Sequence, residues 1–317
     1  MTIPPLHTVL GASGATGRAV IQALQDRNLD IRAVGRSIAR EDTENVRADL
    51  LGADEAQRAI EGSSHVYLCV GLPYRAKVWL RDWPRLMQNV IDACAAAEAR
   101  LIFFDNVYMY GPPPLAVPFD ESHPQQPVTK KGKARKQTAD LFLKAVDEGK
   151  VKGLIGRSAD FYGPYAVYSP FYISFLERML EGKAPQALAR PGVKHTYAYT
   201  LDNGRALVAL ALDESTYGEV WHLPVGRPIT IEEVVEIFNE HLGTNYEVSF
   251  LPPFLQKLLS LFMTDLREAE KMNYQFETEY IMSYDKFKNH FPEFRATPYE
   301  EGIEKMIASF KENGGIR

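Results

Sequence analysis

Three glycines near the start of the chain have the type and the spacing that suit phosphate binding. They recur at three-residue intervals in the segment Gly11-Ala12-Ser13-Gly14-Ala15-Thr16-Gly17. Residues 7–11 predict a buried strand and residues 18–27 predict a helix, so the segment joins a strand to a helix. The first glycine then allows the turn, the second lets the backbone approach a pyrophosphate, and the third lets the helix pack on the strand. Because the helix N-terminus also offers free N–H groups, the segment predicts a dinucleotide site in preference to a plain glycine-rich turn.

The end of the second predicted strand, residues 30–34, bears on which nicotinamide cofactor is bound. A site for NAD(H) usually has an acid there, which binds the ribose 2′-hydroxyl. This chain continues instead as Gly35-Arg36-Ser37. Arg36 suits a 2′-phosphate, Ser37 can donate a hydrogen bond to it, and Arg18 adds a second positive charge. The sequence therefore predicts NADP(H), with NAD(H) as the alternative if the arginines are solvated surface charges.

The candidate cofactor ligands can act together only if the strands that precede them end side by side. The first half of the chain alternates strand and helix patterns, which favours such an arrangement. Further strands are predicted at residues 46–50, 65–70, 101–104 and 151–155, with helices at 86–97 and 138–146. The alternation is typical of an α/β fold with a Rossmann-type doubly wound parallel sheet. Since the pattern changes near residue 157, we expect a dinucleotide-binding domain at 1–160, completed by parts of 196–228. Residues 161–317 are expected to form mainly a smaller substrate-binding domain.

Two features of the second half are clear from the sequence. Thr230 and Glu233 have the spacing of a helix capping box, and Gly243 stands where that helix should end. Residues 252–263 are strongly apolar with helical spacing. For this stretch we expect core or dimer packing, so a homodimer is one option, and a lid over an apolar substrate is the alternative.

Composition excludes several classes of protein. The net charge of −5 does not favour nucleic acid or an anionic membrane as a partner, and no apolar run approaches the ~20 residues that span a bilayer. Two cysteines cannot form a disulfide framework, and the seven histidines lack metal-ligand spacing. We therefore expect a cytoplasmic protein without a bound metal, whose partner is a small-molecule substrate.

At several further positions the chain resembles the extended short-chain dehydrogenases of the NAD-dependent epimerase/dehydratase family. The resemblance covers the glycine segment, Ala48-Asp49-Leu50, residues 106–111, Phe161-Tyr162-Gly163-Pro164, residues 199–210 and Trp221-His222-Leu223-Pro224. It implies cofactor contacts from Asp49 and Leu50 at the adenine, from Val70, Gly71 and Leu72 after the fourth strand, and from Arg157 and Phe161 near the nicotinamide.

The chain departs from this family where the catalytic residues are expected. The family uses a serine or threonine together with a tyrosine and a lysine, the latter two spaced Y-x-x-x-K. The resemblance puts Asn106 at the serine position, and an ungapped alignment from there puts Lys131 on the tyrosine and Arg135 on the lysine. A one-residue shift gives Gly132 and Lys136 instead. Neither alignment supplies a tyrosine, so the chain is similar to an atypical member with a degenerate active site.

Arg135 or Lys136 can still bind the nicotinamide ribose, unless the basic run is simply a solvated helix start. A replacement acid is also needed, because arginine keeps its proton under ordinary conditions. Tyr108 is the first candidate, since it lies two residues beyond Asn106 and points to the same side if the strand continues. The remaining candidates are loop tyrosines: Tyr110, Tyr162, Tyr165, Tyr168, Tyr197 and Tyr199.

The leading function is thus an NADP(H)-dependent oxidoreductase that acts on a small carbonyl or alcohol. The alternative is a non-catalytic regulator that senses the NADPH/NADP⁺ ratio. The missing tyrosine favours the regulator, whereas a substrate domain favours the enzyme.

Overall fold

The computed structural model describes residues 5–38, 40–252, 254, 256, 261, 267–268 and 271–312. Packing divides the chain into two compact units. Unit 1 comprises Met1–Met109, Lys130–Ser158 and Leu201–Leu223, and unit 2 comprises Tyr110–Thr129, Ala159–Thr200 and Pro224–Arg317.

The described strands and helices follow in chain order. The strands are β1 Leu6–Leu10, β2 Asp30–Gly35, β3 Glu44–Arg47, β4 His65–Leu68, β5 Arg100–Asp105, β6 Gly153–Arg157, β7 Phe161–Tyr162, β8 Gln186–Ala187, β9 Ala198–Tyr199, β10 Val220–His222 and β11 Ser249–Phe250. The α-helices are α1 Ala15–Gln25, α2 Ala53–Ile60, α3 Ala76–Ala96, α4 Lys130–Asp147, α5 Glu177–Leu180, α6 Thr200–Leu212, α7 Ile231–Leu242, α8 Asp285–His290 and α9 Tyr299–Glu312.

Unit 1 is built on a seven-stranded sheet with the strand order β10-β6-β5-β4-β1-β2-β3. Every pairing in it is parallel, which confirms the predicted Rossmann-type doubly wound α/β fold. The strand order reverses between β1 and β4, and ligands of such sheets bind outside the carboxyl ends of the strands at that point. The carboxyl ends of β1, β2, β4 and β5 are therefore the edge that matters for function.

Some predicted element bounds are wrong, and the reasons are local. β3 ends at Arg47, so Ala48-Asp49-Leu50 lies beyond the strand. Helix α3 begins ten residues before the predicted start and runs through Pro84, and α4 begins at Lys130, eight residues before its predicted start. The first turns of α4 are rich in charge, but Lys131 and Arg135 are buried. Tertiary packing therefore extends the helix where the sequence pattern does not predict it.

A pair of stacked histidines lies near the amino ends of β1 and β4. His7 and His65 are register partners, and their ring centroids are 4.5 Å apart. The Nδ1 atom of His7 lies 3.1 Å from the hydroxyl of Tyr67. Burial and the neighbouring His65 lower the pKa of His7 to about 4. Burial and the charge of Arg100 lower the pKa of His65 to about 4, so both rings are neutral at physiological pH.

Unit 2 contains two small parallel sheets, β11–β8 and β7–β9, and the predicted capping box is confirmed there. The Thr230 side chain accepts from the Glu233 N–H at 3.2 Å, and the Glu233 carboxylate accepts from the Thr230 N–H at 2.8 Å. Gly243 ends α7 with a φ of 67°. Most of residues 252–263 lie outside the described residues, so the expectations of core, dimer or lid packing there stay predictions.

Candidate cofactor and active site

Two of the three glycines in the 11–17 segment are required by the packing of the chain itself. Gly11 has a φ of 86°, and a Cβ placed on it would lie 2.7 Å from the carbonyl oxygen of Cys69. A Cβ placed on Gly17 would overlap the carbonyl oxygen of Gly11. Both close approaches are between backbone segments, so a side chain at either position forces the turn between β1 and α1 apart.

Gly14 is different, because none of the described residues requires it to be glycine. Its φ is −74°, and a Cβ placed there would meet only the Gly11 carbonyl oxygen, at 3.4 Å, an ordinary contact. Gly14 also caps α1 without any side-chain hydrogen bond to the first turn. The space above this helix N-terminus is therefore open and presents backbone N–H groups. This geometry fits a bound pyrophosphate.

A cavity of about 530 Å³ lies beside this segment at the carboxyl end of β2. Three of the predicted residues, Ser13, Arg18 and Ser37, line it, whereas Arg36 is exposed and does not. The lining is completed by residues that the sequence argument did not single out: Ala12, Ile38, Arg40, Glu41 and Asp42.

Charges of both signs line this cavity. Arg18 donates from Nε to the Ser13 carbonyl oxygen at 3.1 Å, and this bond holds its guanidinium beside the glycine segment. Arg40 lies 3.3 Å from the Asp42 carboxylate, which also accepts from the Gln25 amide. The bonds from Gln25 and Arg40 lower the pKa of Asp42. The sequence argument missed Arg40 because it considered the residues at the end of the second strand, which select between NAD(H) and NADP(H) in this family. Arg40 lies farther along the chain.

The other predicted cofactor residues of unit 1 also follow strand ends at this edge. Asp49 is exposed, and its Oδ1 accepts from the Leu51 N–H at 3.1 Å, whereas Leu50 is buried. After β4, Val70 and Leu72 are half-buried and Gly71 is exposed, with no atom within 4 Å of an added Cβ. In unit 2, Phe161 is half-buried at the start of β7.

Arg157, the last residue of β6, lies beside a buried carboxylate of β5. Its side chain is fully buried, and its Nε lies 3.4 Å from Oδ2 of Asp105, which is itself fully buried. Asp105 also accepts from Nε of Arg135 at 2.8 Å. One carboxylate thus joins two guanidiniums, from α4 and β6, at the end of β5. Burial of these three charges is tolerable because they are paired and hydrogen-bonded.

Asn106 and Tyr108 follow β5 in a turn. The predicted orientation of Tyr108 assumed that the strand continues, but β5 ends at Asp105. The Asn106 side-chain oxygen accepts from the Tyr108 N–H at 3.0 Å, a local turn that strands do not form. Tyr108 therefore does not extend the direction of the strand; its ring stacks on Trp79 of α3, at 6.2 Å between centroids.

The side chains of Lys131 and Arg135 lie one helical turn apart on the face of α4 that packs against aromatic residues. The ammonium of Lys131 lies 3.5 Å from the ring centroid of Tyr74, and the guanidinium of Arg135 lies 4.2 Å from that of Trp83. Lys131 is only 2% exposed. In the shifted alignment, Gly132 is buried and Lys136 pairs with Asp140 at 2.7 Å. Both predicted ribose ligands, Arg135 and Lys136, are thus engaged by carboxylates of the chain.

Two kinds of feature, a membrane-spanning helix and a metal-binding cluster, are absent from the described residues. None of their helices is long and apolar enough to cross a membrane. Nor do these residues include a group of three histidines, cysteines or carboxylates placed to hold a metal ion.

The parallel sheet and the glycine turn define a dinucleotide-binding fold of the Rossmann type. The sequence profile of the NAD dependent epimerase/dehydratase family matches residues 7–222, and the chain belongs to that family.

Individual relatives are distant. The chain is similar to the dTDP-6-deoxy-L-talose 4-dehydrogenase (NAD(P)(+)) of Kitasatospora kifunensis, at 23% identity over 269 residues, covering 79% of this chain and 83% of the relative. Among solved structures it resembles UDP-glucuronic acid 4-epimerase from Bacillus cereus in complex with NAD, with a TM-score of 0.78, 16% identity, and coverage of 97% and 99% of the two chains. It also resembles DesIV, a dTDP-glucose 4,6-dehydratase from Streptomyces venezuelae, with a TM-score of 0.79, 16% identity and 98% coverage of each chain.

Proposed function

We propose that this protein is an NADP(H)-dependent oxidoreductase that interconverts a small carbonyl and its alcohol without the usual family tyrosine. The observation that carries the cofactor preference is the cavity beside the glycine segment, which Arg18 and Arg40 both line. Exposed Arg36 follows β2 next to it, where an NAD(H) site usually has an acid.

The residues of this chain bind and orient the cofactor. The open backbone at Gly14 and the first turn of α1 hold the pyrophosphate. Arg18, Arg40 and Ser37 of the cavity lining, with exposed Arg36 next to it, would hold the 2′-phosphate, and arginine suits phosphate because its donors form a rigid fork. The reduced nicotinamide supplies a hydride when bound, so the protein must supply orientation and a proton.

The tyrosine position of α4 offers no phenol as a proton donor. Lys131 stands at that position and Arg135 stands at the lysine position, and a guanidinium does not act as a proton donor under ordinary conditions. The Lys131 ammonium lies against the Tyr74 ring, so we look for the acid outside the usual pair, and Tyr108 is the nearest hydroxyl that follows Asn106 in sequence.

The relatives suggest which substrates to try first. The curated relative oxidises a deoxysugar nucleotide according to its name, and the 4,6-dehydratase acts on dTDP-glucose. We propose 4-keto and 4-hydroxy sugar nucleotides as the first substrates, with simple ketones as the second group.

Calorimetric titration with NADPH and NADH tests the cofactor assignment. NADPH should bind more tightly, and Arg36→Asp should reverse the order because it exchanges a phosphate partner for a group that repels phosphate. Arg58→Asp, an exposed arginine on α2 away from the cavity, is the matched control for net charge. Equal affinities in the wild type would refute the preference. Tight NADPH binding without turnover of either substrate group would favour the regulator instead.

A further inference from the structure

A second tyrosine, absent from the family pattern, lies beside Tyr108. Tyr74 precedes α3, and its hydroxyl donates to the Tyr108 hydroxyl at an oxygen–oxygen distance of 3.4 Å. Trp79 fixes both rings: it packs edge-on against Tyr74, at 5.5 Å between centroids, and stacks parallel to Tyr108. Two phenols from separate segments are thus held in hydrogen-bond contact at the carboxyl edge of the sheet.

A buried cation lies against one of these phenols. The Lys131 ammonium is 3.5 Å from the Tyr74 ring centroid, well within the range of a cation–π contact. The same ammonium would also attract negative charge on the Tyr74 oxygen, and burial strengthens that attraction. The residue at the family's tyrosine position is therefore placed to stabilise a phenolate that belongs to another tyrosine.

The two phenols differ in their access to solvent. Tyr74 is 41% exposed, whereas Tyr108 is half-buried against Trp79 and close to Asn106. Tyr108 is therefore the member close to Asn106, which the resemblance puts at the family's serine position, and Tyr74 is the member with access to water.

We propose that Tyr108 is the proton donor of the reaction and that Tyr74 and Lys131 form a relay behind it. This inference rests on the proposed function. When the carbonyl is reduced, with the hydride that a bound nicotinamide would supply, its oxygen would take the Tyr108 proton. The O–H bond of Tyr74 breaks, its proton passes to the Tyr108 oxygen, and the electron pair stays on the Tyr74 oxygen beside Lys131. Water then protonates Tyr74, and alcohol oxidation runs the same steps in reverse.

The first test needs neither cofactor nor substrate. Tyrosine labelled with ¹³C at the ring carbon that bears the hydroxyl is titrated by NMR, with Tyr74→Phe and Tyr108→Phe used to assign the two signals. Tyr74 and Tyr108 should titrate as a coupled pair, and Lys131→Met should move the Tyr74 transition to higher pH. The exposed neighbour Lys133→Met should leave it in place. Independent titration of the two tyrosines, or no response to Lys131→Met, would overturn the relay.

The second test uses turnover. Tyr108→Phe should lower the rate of the chemical step by about 10²–10⁴-fold, the usual contribution of a positioned general acid, and Tyr74→Phe should lower it less. Lys131→Met should move the basic limb of the pH–rate profile upwards, and Lys131→Arg should restore it, a pattern that a purely structural role does not produce. Tyr246→Phe, in unit 2, is the control for loss of a phenol.

The outcomes separate the relay from the proposed function. Undiminished turnover in Tyr108→Phe would overturn the relay and leave the oxidoreductase assignment standing. Absence of wild-type turnover with NADPH bound would overturn both, even where the NMR titration shows the coupled pair.

Discussion

Lowering the pH should destabilise this protein through the stacked histidines of β1 and β4. His7 is fully buried and its pKa is about 4, against 6.5 for a histidine in water. Below pH 6.5 the unfolded chain binds a proton that the folded chain does not, so stability falls as the pH falls from 6.5 to 4. Above pH 6.5 this contribution is fully present, and below about pH 4 no further loss comes from this residue.

The size of the effect follows from the shift. A difference of 2.5 pKa units corresponds to about 3 kcal/mol, because each unit is worth about 1.4 kcal/mol. His65 adds less than the same amount, since it is half-buried and its charge is coupled to that of His7. Against a typical unfolding free energy of about 5–15 kcal/mol, this loss is large enough to measure.

Urea denaturation at a series of pH values between 4 and 7.5 measures the loss. His7→Phe should flatten the profile over this range, because it keeps an aromatic ring against His65 and removes the titrating group. Its stability at neutral pH should also be lower, since the Tyr67 hydroxyl loses its 3.1 Å partner. His241→Gln, an exposed residue on α7, should keep the wild-type slope. Equal slopes for the wild type and His7→Phe would refute the reasoning, because Glu214 and other carboxylates would then explain the acid sensitivity.

Four further substitutions test the site and the fold. Gly14→Val should abolish NADPH binding in calorimetry while the circular dichroism stays native, whereas Gly17→Ala should destabilise the fold because its Cβ overlaps backbone; a folded Gly14→Val that still binds would show that the segment is not the phosphate site. Asp105→Asn should cost about 3–5 kcal/mol in urea denaturation, since it leaves the guanidinium of Arg135 buried without its anion; a cost below 1 kcal/mol would contradict the role given to this pair. Thr230→Ala should cost about 1 kcal/mol by loss of the cap, and no measurable change would mean that the capping box contributes little.

The parts of the fold that depend on short-range patterns were predictable. The strand, the glycine turn and the helix of residues 7–27 could be recognised from the sequence because the spacing of the glycines and the apolar periodicity are short-range patterns. The capping box of Thr230 and Glu233 was also predictable, since it needs only a spacing of three residues. These features are fixed by neighbours in sequence, and no knowledge of the rest of the chain is needed.

The parts of the site that depend on long-range contacts were not predictable. The contact between Tyr74 and Tyr108 joins residues 34 positions apart, and that between Arg135 and Asp105 joins residues 30 positions apart. No short-range sequence pattern predicts either contact. A solvated helix start was one of the two interpretations of the basic run at the beginning of α4. In the structure Lys131 is instead buried against an aromatic ring. The position of Arg40 at the cavity could not be predicted from the sequence, because it depends on the path that the chain takes after β2.

The paired charges at the end of β5 also constrain which side chains positions 131 and 135 can accept. Arg135→Lys would replace a two-pronged contact to Asp105 with a single ammonium and would weaken the packing against Trp83. Lys131→Tyr would take away the cation that lies on Tyr74. Each single substitution disrupts an interior contact before a tyrosine–lysine pair would be complete. Installing such a pair stepwise therefore passes through weakened intermediates, so the two positions are coupled to the interior packing of α4.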